Sequence, residues 1–228
     1  KVENANALLN VFNEIPVAYV ADGHHRSASA ARAAVIRKNE NENHDGSEEY
    51  NWFLTVLFPS SQLAILSYNR VVTDLHEKTP ESFLEELATV GSVTSCDDAS
   101  PHHSGSFCVY LGEPTGGWHR VDLFPESIDT SNPITSLDVD LLQQKVLTPM
   151  LGIGDPRSDT RIDFVGGIRG TKELEDRVNS GSAAVAFSLY PTTIEQLLDV
   201  ADAELIMPPK STWFEPKLRS GLFVHDLS

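Results

Sequence analysis

Residues 50–72 hold two apolar runs, YNWFLTVLF (50–58) and QLAILSYNRVV (62–72), separated by Pro59-Ser60-Ser61. A solvent-facing hairpin would alternate apolar and polar residues. Here both faces are apolar, so a hairpin built from these runs must be covered on both sides. That places it at the centre of a core and commits the chain to a layered fold.

The flanking segments supply candidate layers. Val2, Leu8, Leu9 and Phe12 give a partial helical stripe. Ile15–Ala21 reads as a short buried strand opened by a proline, Asp22-Gly23 as a turn, and the run from His24 as an Ala-rich helix fit for close packing. NENENHDGSEE (39–49) is polar and of low complexity, the best candidate for a mobile loop. Thr79-Pro80 starts a helix with Phe83, Leu84, Leu87 and Ala88 inward, and a Ser/His/Asp-rich loop (95–106) follows it. SFCVYL and WHRVDLF form a hairpin turning through EPTGG. Asp138 begins a helix with Val139, Leu142 and Val146 on one face. The last third reads strand (RIDFV), helix (KELEDRVNSG), strand (AAVAFSLY), helix (IEQLLDVADA); Gly181 ends the first helix, and Thr192 with Glu195 caps the second. Hairpins mixed with helix-linked strands favour α+β with a mixed sheet.

With 17 Lys+Arg against 33 Asp+Glu the net charge is −16, which argues against coating DNA, since phosphate binding rests on clustered cations. Neither a basic face nor a helix-turn-helix is visible, so nucleic acid is not an expected partner. No apolar run reaches the roughly 18 residues of a membrane span. Two cysteines, Cys96 and Cys108, suit free thiols in a reducing cytosol, and a cytoplasmic location is expected. The chain opens at Lys1 directly into a helical pattern, so it reads as the C-terminal portion of a longer protein.

Three segments hold chemistry-bearing residues. In the first, Asp22-Gly23-His24-His25-Arg26, a strand-to-helix turn aims backbone N–H groups outward at the positive end of a helix dipole. Gly23 lets a phosphate approach closely, Arg26 can grip it with two donors, and His24 and His25 add more. The bland alternative makes Asp22 an N-cap and the histidines surface residues. Adjacent histidines on a helix diverge by about 100° and lack the i, i+4 spacing of zinc-binding helices, which argues against zinc. The second is DPRSDTRIDFVGGIRG (155–170). Its aspartates do not match a calcium loop. An Asp/Arg ion-pair ladder is one reading and a site the other; Gly166-Gly167-Ile168-Arg169-Gly170 is either an anion cradle or a plain turn. The third is PPKSTWFEPK (208–217), in which Lys210, Ser211 and Thr212 suit an anionic ligand, although no GxxxxG precedes them. The alternative docks Trp213 and Phe214 in the core. Asn69-Arg70, on a strand end, is a site candidate or an ion-pair member. His44, His76, His102, His103, His119 and His225 show no ligand spacing.

The strand, DGHHR and Ala-rich helix together resemble the signature of the ParB/sulfiredoxin superfamily, which includes chromosome-partition proteins, sulfiredoxin and an archaeal free-serine kinase. YVADGHHRSASA, LAILSYNRVVTDL, LGIGDPRSDTRIDFVGGIRG and MPPKSTWFEPKLRSGLF resemble a bacterial family of unknown function, numbered 1015 and sometimes labelled SpoOJ/ParB-like. These resemblances imply a ParB/sulfiredoxin-like nucleotide-binding core, incomplete at its N-terminus. Residues 1–75 would form the end of that core, 76–145 a hairpin-containing insertion, and 146–228 a segment completing the site. The implied activity is nucleotide-dependent phosphoryl transfer, using ATP or ADP with Mg²⁺, to a small hydroxyl-bearing metabolite such as free serine. Gly23, His24, His25, Arg26, Arg169, Ser211 and Thr212 would hold phosphates. Asp22 would orient a histidine or hold Mg²⁺, with His25 and Lys210 also catalytic, and the base would lie upstream of this chain, as a glutamate does in the serine kinase. The alternatives are a ParB-like regulatory module without turnover and a non-catalytic anion-binding domain. At least two of the three segments are expected to line one cleft, with Arg26 facing Lys210 or Arg169.

Overall fold

The computed structural model describes residues 5–113, 115–219 and 221–227. Val2 of the expected helical stripe and Pro114 of the expected turn lie outside the described residues. The chain divides into two compact units, residues 1–59 with 217–228 and residues 60–216. The boundaries expected near 75 and 145 do not coincide with these divisions.

The second unit is built on a six-stranded sheet. Its strands are β2 (Tyr68–Val72), β3 (Gly91–Cys96), β4 (Ser106–Leu111), β5 (Gly117–Leu123), β6 (Ile162–Gly166) and β7 (Val185–Leu189), in the spatial order β3-β5-β4-β7-β2-β6. A two-stranded ribbon pairs β1 (Ala64–Leu66) with β8 (Trp213–Glu215). The helices are α3 (Pro80–Leu87), α4 (Asp138–Leu142, continued by a wider turn over Gln143–Leu147), α5 (Lys172–Asn179) and α6 (Ile194–Asp202). The fold is α+β.

Every ladder is antiparallel, which corrects the expectation of a mixed sheet. The reason lies in β2. Strands β6 and β7, joined through α5, run in one direction, as a crossover helix requires. But β2 lies between them and pairs antiparallel with both, so no parallel ladder forms.

Both faces of the sheet are covered, as the apolar pattern of 62–72 demands. On one side Val72, Val109, Val121 and Phe187 pack with Phe83 and Leu87 of α3 and with the buried segment from Leu137 to Ile153. On the other, Val71, Cys108, Trp118 and Ala186 pack with Leu174 and Val178 of α5. Neighbours Val71 and Val72 thus anchor opposite layers through the two-residue period of the strand. Burying each large side chain stabilises by about 1.5–3 kcal/mol. Cys96 and Cys108 are free thiols, and burial pushes the Cys108 thiol up to about 12, which makes it a packing group rather than a nucleophile.

Local signals explain the helix ends. Thr79 caps α3 and exchanges bonds with Ser82. The cap of α6 is Thr193 with Gln196, one residue beyond the Thr192/Glu195 pair that the sequence suggested. Thr192 is buried instead and donates to the Ser211 carbonyl at 3.3 Å.

The first unit holds α1 (Ala5–Asn13) and α2 (His24–Glu40). The expected strands at 15–21 and 50–58 do not form. Glu49–Asn51 makes a single tight turn and the rest of both runs is irregular. An apolar run becomes a strand only where a neighbour completes its hydrogen-bond ladder, and none does so among the described residues. Val17, Val20, Trp52 and Leu54 are exposed, and α2 buries no residue. Of the loop expected at 39–49, Asn39 and Glu40 belong to α2 and Glu49 to the tight turn. Residues 41–48 form an irregular, mostly exposed loop ordered by its own polar groups, the Glu48 carboxylate accepting from Asn41, Asn51 and the backbone of Asp45 and Gly46.

Phe187 is fully buried, with ring centroids 6.4 Å from Phe83 and 6.1 Å from Phe107. Phe187→Ala is expected to destabilise the chain by about 3–5 kcal/mol in denaturant unfolding. Asp138 gives a pH signature. Its carboxylate accepts from Ser104 Oγ at 2.8 Å and Gly105 N–H at 2.6 Å, yet burial outweighs those bonds and lifts its pKa to about 6. Ionisation is therefore harder folded than unfolded. The stability Asp138 contributes is full below its ordinary value of 3.8 and is lost as pH rises through 6. The stability of the wild type minus that of Asp138→Asn should fall by on the order of 2 kcal/mol between pH 4 and 6.5. A flat difference would contradict the assignment.

Candidate functional site

In the first unit the DGHHR turn opens α2. Gly23 is the N-cap residue with φ 90° and ψ 25°, a left-handed conformation that glycine adopts without a Cβ penalty. Any Cβ there would also meet Arg26 Nη2 at 3.2 Å. His24, His25 and Arg26 follow as the first helical residues, all exposed. No side chain caps the helix, and its first turn has no acidic residue. The opening N–H groups of a 17-residue helix thus lack a side-chain cap, and the carboxylate nearest the positive dipole end is Asp22, one residue before the cap, which accepts from the Gly23 N–H. Asp22 is not the cap. The first bonds inside the helix are those of Ser27, whose N–H and Oγ donate to the Gly23 carbonyl at 2.9 and 3.1 Å.

Asp22 instead stands between cations. Lys217 Nζ lies 3.2 Å from its Oδ2, and Arg26 Nη2 lies 4.0 Å from Oδ1. Burial raises its carboxyl; the Lys217 hydrogen bond and charge, the Gly23 N–H and the Arg26 charge outweigh burial and hold it below the ordinary carboxylate value. The Arg26 side chain is 67% exposed and its pairing is loose, so the guanidinium stays accessible. Lys217, far away in sequence, carried no signal for this role.

In the second unit the charged 155–170 segment is largely an ion-pair ladder. Arg161 pairs with Asp159 at 2.8 Å and Asp74 at 3.4 Å, and donates to the carbonyls of Leu151 and Gly152. Arg177 joins Asp163 and Glu173 at 2.5 and 2.9 Å. The Gly166-Gly167 pair serves close packing rather than an anion: a Cβ on Gly166 would meet Trp213 Cε3 at 2.4 Å, and one on Gly167 the Ser67 carbonyl at 2.8 Å. Glu173 and Glu175 in the first turn of α5 oppose an anion at that helix start. Arg169 is exposed and lies 3.5 Å from Glu173.

The 208–217 segment combines docking with exposure. Phe214 is buried, and Trp213 meets Tyr68 edge-on with centroids 5.4 Å apart. The Ser211 hydroxyl donates to the Pro208 carbonyl at 2.6 Å and is spent inside the loop, and Thr212 is half-buried. Lys210 has φ 55° and is exposed, with its ammonium 5.5 Å from the Tyr68 ring centroid. Its carbonyl accepts from Arg70 Nη2 at 3.0 Å. Asn69 is buried, and its Oδ1 accepts from the Leu189 N–H at 3.1 Å.

Parts of two of the three segments do meet. Asp155 and Arg157 line one cavity of the second unit together with Pro208, Pro209 and Arg70. Val139, Asp140 and Gln143, from α4 and the turn after it, lie outside the three segments, whereas Pro156 and Phe164 fall within the second; sequence reading singled out none of them as site residues. Among the described residues no three His, Cys, Asp or Glu side chains cluster as metal ligands would.

No curated protein matches the chain. Among solved structures it is similar to a free serine kinase in complex with AMP, at 13% identity and a TM-score of 0.39, with 86% of this chain and 66% of that one covered. The same kinase with ADP, as a variant, matches at 14% identity, a TM-score of 0.39 and the same coverage. A conserved hypothetical protein from Pyrococcus furiosus matches at 12% identity and a TM-score of 0.39, covering 86% of this chain and 68% of that one. The chain thus spans just under two thirds of the kinase's length. The family model DUF1015, described as a protein of unknown function, matches residues 1–140, more than half of the sequence, and the chain belongs to that family.

Proposed function

We propose that this chain carries the nucleotide-phosphate site of a phosphotransferase that acts on a small hydroxyl-bearing metabolite, free serine being one candidate. The observation that carries the reading is the uncapped start of α2, with left-handed Gly23, exposed His24, His25 and Arg26 and no acidic residue in the first turn. In a protein of net charge −16 a local donor-rich site of this kind selects anions. Phosphoryl transfer asks the protein chiefly for positioning and charge neutralisation, which backbone N–H groups and a guanidinium supply. Asp22, kept ionised, orients His24 or His25. It already balances Lys217 and Arg26, so Mg²⁺ would be held mainly by the nucleotide's own phosphates, with Asp22 as an outer partner through water.

The same pairing of Asp22 favours a second reading, nucleotide binding without turnover, because a carboxylate already engaged by Lys217 and Arg26 has less to give to a metal or a reacting group. The two readings part on turnover: both bind nucleotide, and only the first consumes it. Among the described residues no helix is long and apolar enough to cross a membrane.

Titration with ATP and ADP, each with and without Mg²⁺, should stabilise the chain by about 2.7 kcal/mol at 100 times the dissociation constant. Arg26→Ala should weaken binding about 5- to 30-fold, the equivalent of about 1–2 kcal/mol for a lost charge-assisted hydrogen bond. Absence of any nucleotide response sinks the reading; an undiminished response in Arg26→Ala moves the site away from this turn.

A further inference from the structure

Arg70 lies on β2 with 3% of its surface exposed. Nη1 donates to the Tyr68 carbonyl, Nη2 donates to the Lys210 carbonyl at 3.0 Å, and the guanidinium carbon sits 5.3 Å from the centroid of the Phe164 ring. All three partners are neutral. Among the described residues no carboxylate pairs with it, which corrects its reading as an ion-pair member. Burial pushes its pKa down to about 9, so it still carries its charge at neutral pH. Taking a cation out of water costs several kcal/mol, and carbonyl dipoles with a ring face offset only part of that. The two bonds leave three of the five guanidinium N–H donors, enough for a bidentate grip on an oxyanion.

Arg70 is one of the residues lining a cavity of about 210 Å³. Nucleotides and drug-sized ligands occupy pockets of roughly 300–1,000 Å³, so this space suits a smaller molecule. Its walls carry both signs of charge. Exposed Arg157 adds a cation, while half-buried Asp140 and Gln143 offer acceptors to a donor group. Asp155 is partly engaged, its Oδ1 accepting from the Arg157 N–H at 3.0 Å.

We propose that this cavity binds a compact metabolite through an oxyanion, a carboxylate or a phosphate, seated on Arg70 with help from Arg157. A hydroxyl or ammonium of the same molecule would donate to Asp140 or Gln143. The site lies within the second unit and needs nothing from the DGHHR turn. The competing role for Arg70 is a purely structural one, tying the 208–211 loop to β2 through the Lys210 carbonyl.

The test titrates inorganic phosphate and, separately, glycolate into the full ¹⁵N-labelled chain, with ionic strength held constant by NaCl. At least one of them should raise the unfolding midpoint saturably and shift the Arg70 Nε–H cross-peak over the same concentrations. A response to phosphate alone identifies a phosphate-bearing ligand, to glycolate alone a carboxylate, and to both a shared oxyanion subsite. Arg70→Lys, which loses the planar fork, should bind at least about ten-fold more weakly. Arg157→Ala, at an exposed position, should fold normally and bind about three- to ten-fold more weakly. If Arg70→Lys does not fold, the cross-peak and Arg157→Ala decide alone. An Arg70 Nε–H that ignores both anions, or binding undiminished in Arg157→Ala and in any folded Arg70→Lys, overturns the proposal and leaves the structural role.

Discussion

Burial of β2 on both faces is the constraint from which the second unit follows. Val71 and Val72 point to opposite sides, so two separate layers must cover the strand, α5 on one side and α3 with the 137–153 segment on the other. Its place between β6 and β7 sets every ladder antiparallel and leaves α5 to bridge two strands that never touch. The same burial holds Arg70, two residues before Val72, out of water. A strand that hides its valines also hides a guanidinium, and two carbonyls and a phenyl ring offset part of that cost.

Charge is distributed against the global sum. Most cations of the second unit are consumed locally: Arg161 and Arg177 each satisfy two carboxylates, and Lys172 pairs with Asp176. Such exposed pairs add little stability apiece, commonly under about 1 kcal/mol. They do remove positive charge from circulation, which makes cations outside such pairs informative. Arg70 has no carboxylate partner among the described residues, and Arg26 is held only loosely, 4.0 Å from Asp22, at the positive end of a helix dipole. Both are places where an arriving anion gains more than it would elsewhere on an acidic surface.

Much of the second unit was legible in the sequence because its signals are local. The 106–123 hairpin, the Thr79-Pro80 helix start and the strand–helix–strand–helix order of the last third depend on periodicity and caps that neighbouring residues settle. β3 escaped notice because Gly91–Cys96 is a polar edge strand, recognisable only by its pairing with β5. The runs 15–21 and 50–58 misled for the opposite reason: they have strand composition, but a ladder needs a partner that composition cannot specify. The DGHHR turn was readable, since glycine, histidines and arginine at a helix start have a mechanism on their own. Its Lys217 partner was not, nor was the Arg70 cavity, whose walls come from residues 70, 139, 140, 143, 155–157, 164 and 208–209 and meet only through the fold. The glycines at 166 and 167 look the same in sequence whether they cradle an anion or admit an indole ring, and only the position of Trp213 decides.

The central claim is that the start of α2 is an anion site. Backbone amide chemical shifts, followed while ADP is added to the ¹⁵N-labelled chain, test it most directly. The account requires the amides of His24, His25 and Arg26 to move together and saturate, while Lys172, Glu173 and Leu174 at the acidic start of α5 stay fixed. Saturating shifts elsewhere, with the His24–Arg26 amides unmoved, would contradict it.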